Sequence, residues 1–215
     1  MTTMNRRELT RTAAAGLLLL ASGARAQGGA PVEGKDFVRL NTPVAVPAGG
    51  KIDVVEFFWY GCPHCNSLES SLEAWVKKLP ADVAFRRVPA TFSPLWELHA
   101  KVFYALEALG KLDEMHRRMF AALHVQRLRL DKEADIVAYM SNNGVDGAKF
   151  KEAFDSFGVA TKLRQGKQLT EGYKIDGVPA LGIHGRWFTS PSLAGTGERA
   201  FAVADSLIQR ARKPA

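Results

Sequence analysis

From residue 52 to 60 apolar side chains run almost without a break, with only Asp53 and Glu56 interrupting Ile52, Val54, Val55, Phe57, Phe58, Trp59 and Tyr60. β-Branched and aromatic residues at this density predict a strand buried on both faces. The period then changes. Leu68, Leu72, Trp75, Val76 and Leu79 recur at helical spacing until Pro80 ends the run, and Val83 to Val88 reads as a second strand. Strand, helix and strand make one βαβ unit. A helical block follows from Pro94 to about Tyr173. Its segments are 95–109, 112–123, 133–140, 149–157 and 159–169, with expected breaks at Gly110, Asn142-Asn143-Gly144 and Gly158. Ala180 to Ile183 and Arg186 to Thr189 read as short strands joined at His184-Gly185, and a last helix spans about 196–212.

The first 26 residues do not fit this scheme. Arg6, Arg7 and Arg11 precede an apolar stretch, Ala13 to Ala21, and Ala24-Arg25-Ala26 forms an A-x-A cleavage site. The stretch is too short to span a bilayer. The expectation is a signal peptide over 1–26, leaving Gln27 to Ala215. Asn5-Arg6-Arg7-Glu8-Leu9 also looks like a twin-arginine signal, so the export route stays open. Export changes how charge is read. The whole chain carries +7, and loss of four arginines and Glu8 lowers this to +4. A charge that small and scattered gives no argument for nucleic acid. Residues 27–35, rich in Gly and Pro, are expected to be loose.

An exported protein meets conditions in which disulfides persist. This chain has two cysteines, Cys62 and Cys65, in Cys62-Pro63-His64-Cys65 between the first strand and its helix. A staple closing so short a loop constrains the unfolded chain little. A metal site would need further ligands, and no second C-x-x-C or H-x-x-x-H is present, so no metal is expected. The position instead suits thiol–disulfide exchange. Cys62 falls where an N-cap belongs and Pro63 at the first helical position. There the unbonded N–H groups and the helix dipole favour a thiolate. His64 can add an N–H or a charge. Cys65, one turn further in, is expected to be the shielded, resolving thiol. Glu56 within an apolar strand is expensive to bury without a partner or a task. His99, His116 and His124 read as ordinary members of amphipathic helices, and His184 as a turn residue.

The order βαβ, helical block, ββα reads as an α/β protein: a thioredoxin fold with an inserted helical domain. With Phe57-Phe58 ahead of Cys62-Pro63-His64-Cys65, and Gly177-Val178-Pro179-Ala180 ahead of the hairpin, the chain resembles the DsbA family of periplasmic thiol:disulfide interchange proteins. The resemblance implies a discontinuous thioredoxin-like domain, 36–92 and 174–212, split by an insertion over 93–173. It implies a cis peptide before Pro179 and a client strand pairing with Val178. It implies that Glu56 lies beneath the cysteine pair and assists proton transfer, with Glu69 and Arg87 as charged neighbours; the family more often has lysine at the place of Arg87. It also implies a Cys62 thiol depressed toward the family's known value of about 3.5.

On this reading the protein is a monomeric dithiol oxidase of the periplasm, with no cofactor. Its clients are folding exported proteins with free cysteines, and its re-oxidant is a DsbB-like, quinone-coupled membrane oxidase. A disulfide isomerase or reductase on the same fold is the alternative, although no room for a separate dimerisation domain precedes residue 36. A non-enzymatic holdase is another, against which the intact cysteine pair argues.

Overall fold

The computed structural model describes residues 29–213. The signal peptide expected over 1–26 lies outside them. Strand β1 is Val38–Arg39 and strand β2 is Ile52–Phe58. Helix α1 spans Pro63–Val76 and β3 spans Val83–Pro89. Helices α2 (Pro94–Ala108), α3 (Leu112–His124), α4 (Glu133–Asn142), α5 (Gly147–Phe154) and α6 (Phe157–Gly172) form the helical block. Strands β4 (Ala180–Ile183) and β5 (Trp187–Thr189) follow, then α7 (Pro191–Ala194) and α8 (Gly197–Ala211).

The sheet order is β1-β5-β4-β2-β3. β2 pairs parallel with β3 and antiparallel with β4, so the most apolar strand lies inside the sheet and all seven of its residues are buried. Its alternating side chains feed different cores. Ile52 and Val54 join Leu68 and Leu72 of α1 and Phe201 and Leu207 of α8. Val55 and Phe57 pack with Val88, Tyr173 and Ala180 on the other face. At the strand's end Phe58, with Tyr60, Cys62 and Cys65, enters the core of the helical block beside Phe103, Met115 and Phe120. The cysteine pair therefore sits where the sheet meets the helices.

Local chemistry explains the departures from the sequence reading. The break expected at Gly158 falls at Asp155-Ser156, because Ser156 caps α6 by accepting the Val159 N–H at 3.1 Å; Gly158 lies inside the helix. The first strand stops at Phe58, so Trp59 and Tyr60 leave the sheet. Residues 32–36 are held rather than loose: Asp36 Oδ2 accepts the Val32 N–H at 2.8 Å, and Thr189 Oγ1 donates to the Asp36 carbonyl at 2.7 Å. The β4–β5 turn runs through the expected His184-Gly185, both at positive φ, and also takes in Arg186, since Trp187 is the residue paired with Ile183. Glycine is needed there twice over, since a Cβ would strike the Val44 carbonyl.

Candidate active site

The turn from β2 into α1 sets the two cysteines apart. Cys62 is the N-cap of α1, with Pro63 in the first turn. Its sulfur accepts the Cys65 backbone N–H at 3.4 Å, and its thiol lies 3.6 Å from the Val178 carbonyl as a donor. Cys62 keeps 7% of its surface, whereas Cys65 keeps none. Both are free thiols, so this is the reduced site.

Their acidities diverge for physical reasons. The hydrogen bond from the Cys65 thiol, together with the Cys65 and His64 backbone N–H groups, lowers the Cys62 pKa to about 6 against the opposing effect of burial. The charge of His64 is the smallest contributor. Cys65 is pushed far above the ordinary thiol range, by burial first, then by its hydrogen bond to Cys62 and the neighbouring negative charges. At neutral pH the outer sulfur is the thiolate and the inner one the thiol.

Val178–Pro179 is a cis peptide, and its loop faces Cys62 through the Val178 carbonyl. A glycine at 177 is not needed for packing within this chain: a Cβ there would meet nothing within 4 Å.

Behind the cysteines lies a buried charge cluster. Glu56 is 1% exposed and stands opposite Arg87 in the parallel β2–β3 register. Arg87 Nε donates to Glu56 Oε2 at 2.9 Å, and Arg87 Nη2 donates to Glu69 Oε1 at 2.6 Å. One guanidinium thus serves two carboxyl groups. Burial drives the Glu56 pKa up to about 8, against the attraction of Arg87. Burial thus favours the protonated form of Glu56, and its charge state acts on Cys65 through space. Of the expected residues, Cys62, Pro63, His64, Val178 and Pro179 meet at the outer face. Glu56, Glu69 and Arg87 meet beneath it.

The sequence reading passed over two histidines that belong here. His116 is buried, with Nδ1 2.9 Å from the Tyr60 hydroxyl and Nε2 3.5 Å from Glu69 Oε1. Burial lowers its pKa, so it stays neutral in an aromatic box of Phe58, Tyr60, Phe103 and Phe120. His124 Nε2 donates to the Tyr60 carbonyl at 2.8 Å and ties α3 to the active-site turn. The available signal was His116 in register with Met115, Met119 and Phe120 on an apolar helix face. The aromatics divide: Phe58 and Tyr60 are core, Trp59 stacks on Trp96 with centroids 4.2 Å apart, and Phe188 lies out on β5. His184 is structural, its Nδ1 accepting the Asp53 N–H at 3.3 Å.

What fold and site define together is a class: a thioredoxin-fold protein with an asymmetric dithiol poised for exchange. Residues 84–200 match the family model described as a DSBA-like thioredoxin domain. The thiol:disulfide interchange protein DsbA of Azotobacter vinelandii is 40% identical over 92% of this chain and 94% of its own. A crystal structure of Pseudomonas aeruginosa DsbA aligns with TM-score 0.80 at 37% identity, covering 83% of this chain and 93% of that one. The oxidoreductase NmDsbA1 of N. meningitidis aligns with TM-score 0.74 at 26% identity, covering 84% of this chain and 94% of that one. The chain belongs to the DsbA family.

Proposed function

We propose that this protein is a thiol:disulfide oxidoreductase that donates its Cys62–Cys65 disulfide to exported proteins. The observation that carries the reading is the asymmetry of the pair: one sulfur slightly exposed and easily ionised, the other sealed and held as a thiol. Stabilising the thiolate stabilises the reduced protein, so the disulfide is readily given up.

In the forward reaction a client thiolate attacks Cys62 Sγ. The Cys62–Cys65 bond breaks, a client–Cys62 bond forms, and Cys65 leaves as a thiolate that must gain a proton. Glu56, whose burial favours its protonated form, is the group we assign to that transfer. Glu69 and Arg87 hold it there and tune it. A second client thiolate then attacks the client sulfur joined to Cys62, and Cys62 leaves as its favoured thiolate. The client is oxidised by two electrons and the enzyme ends as a dithiol. Pro63 starts α1 and His64 borders the sulfur, both favouring that leaving group. The backbone of Val178, ahead of Pro179, offers the client an edge to pair with.

The site calls for no cofactor. A DsbB-like, quinone-coupled membrane oxidase would restore the disulfide. The periplasm suits both the family and the leader-like residues 1–26, and no helix among the described residues is long and apolar enough to cross a membrane. The insertion in the thioredoxin-like domain is taken as 93–173, and the protein as a monomer.

Non-reducing gels on two variants test the roles. Cys65→Ala is expected to accumulate client mixed disulfides through Cys62, because the internal thiol that would release them is gone. Cys62→Ala is expected to accumulate none. Equal trapping by both would overturn the assignment.

A further inference from the structure

We propose that His116 is a positioning residue for the proton step: it holds Glu69 when Glu56 has given its proton to Cys65 and draws on Arg87. The proposal rests on the exchange reading above and on the role given there to Glu56. Arg87 bonds both carboxyl groups, Glu56 on β2 and Glu69 on α1. As the disulfide opens, the Glu56 proton passes to the Cys65 sulfur and a carboxylate stays behind. Two buried carboxylates then share one guanidinium until a solvent proton restores Glu56. A second donor stabilises that state, because a buried charge needs hydrogen bonds as well as a partner.

His116 is the donor that the geometry supplies. The Tyr60 hydroxyl, 2.9 Å from Nδ1, has no other hydrogen-bond partner among the described residues. If Tyr60 accepted here, its own buried hydrogen would be unpaired, so the phenol donates and Nδ1 accepts. Burial pushes the Tyr60 hydroxyl well above its ordinary range, which keeps that hydrogen in place. The ring proton then lies on Nε2, 3.5 Å from Glu69 Oε1, a long approach that completes no hydrogen bond. Glu56 Oε1 and Glu69 Oε2 are also buried without a protein partner. The cluster thus keeps one idle donor and two open acceptors. Filling the aromatic box does not account for this, since phenylalanine would fill it without burying an idle N–H. The other ionisable groups facing the cluster are Cys65 and Tyr60, and Glu73 of α1 with its more exposed partner Arg117 of α3.

The test is a titration of the oxidised protein, in which neither cysteine ionises. Glutamate carboxyl carbons are isotope-labelled for NMR, and Glu56→Gln and Glu69→Gln assign the two signals. The last proton of the coupled pair is expected to leave at a pH about 0.5–1 higher in His116→Phe, the worth of one hydrogen bond to the charged form. His116→Gln, whose side-chain amide reaches the place of Nε2, should restore the parent's midpoint. A dithiol peptide that passes two electrons to the protein disulfide, and becomes a disulfide itself, gives the rate. At neutral pH that rate should fall about two- to tenfold in His116→Phe and be kept in His116→Gln. Imidazole nitrogen spectra of the parent should show the hydrogen on Nε2 of His116 and none on Nδ1. A hydrogen on Nδ1, or equal midpoints in the parent and His116→Phe, would overturn the proposal. A Glu56→Gln protein reduced as fast as the parent would instead overturn the Glu56 assignment on which the proposal rests.

Discussion

The two halves of the active site, three residues apart in sequence, follow opposite rules. The outer half is Cys62, the start of α1 and the Val178–Pro179 loop. There, polar N–H groups and a nearby thiol stabilise a charge on a slightly exposed sulfur. The inner half is Cys65 above Glu56, Arg87, Glu69 and His116. There, burial suppresses charge on two of the acids and leaves a single guanidinium shared between carboxyl groups. The same thiol chemistry is pushed in opposite directions by one helical turn of depth. What this teaches is that the inner half is an energetic liability kept in place by pairing, while the outer half is tuned by small, separable contributions.

The sharpest way to break the comparison is to remove the shared cation. Arg87→Met leaves Glu56 and Glu69 buried without the cation they share, and breaking a buried pair from one side costs about 3–5 kcal/mol. At about 2–4 °C per kcal/mol for a protein of this size, Tm should fall by roughly 10 °C. Glu198→Gln, at the exposed outer face, should stay within about 0.5 kcal/mol of the parent. Thermal unfolding of both proteins checks the contrast, and equal losses would erase it.

Next in size is the pH dependence of stability. In the folded reduced protein Cys62 titrates at about 6, against an ordinary 9.0. Its folded pKa is depressed, so its stabilisation is complete above the unfolded value and is lost as pH falls through about 6. The Glu56 pKa is raised from 4.5 to about 8, so its contribution runs the other way and declines as pH rises between those values. Glu56 is present in both redox forms and the Cys62 thiolate in the reduced form alone. Denaturant unfolding of the two forms should therefore show the advantage of the reduced form growing from about pH 6 to pH 9. A difference that does not change over that window would contradict the assignment.

A smaller effect belongs to His64. Its charge contributes least to the lowered Cys62 pKa. An exposed charge of this kind is worth about 0.5–1 kcal/mol. His64→Ala should thus make the disulfide slightly harder to reduce, lowering the potential by about 10–20 mV. Equilibration with glutathione measures it. A shift several times larger would move His64 from the margin of the outer half to its centre.

The outer half was legible because its logic is local. Cys62, Pro63, His64 and Cys65 are contiguous, and a cap followed by proline is a short-range signal. The β2–α1–β3 order was readable for the same reason. The inner half is built across distance. Glu56 meets Arg87 through strand register, and Glu69 reaches the same Arg87 from α1. Their joint role was implied by family resemblance rather than by spacing. His116 joins from α3, 56 residues beyond the tyrosine it bonds, and on an apolar helix face it looked like any core residue. The Gly158 misreading has a similar root: a glycine looked like a break, but the serine cap two residues earlier had already started the helix.

The central claim is that the outer sulfur, and only that one, is ionised at neutral pH. Ultraviolet thiolate absorbance of the reduced wild-type protein, with the oxidised protein as blank, tests it directly. One thiolate should appear with a midpoint near pH 6, and no second one up to pH 9. Two thiols titrating together near the ordinary value of 9.0 would contradict it.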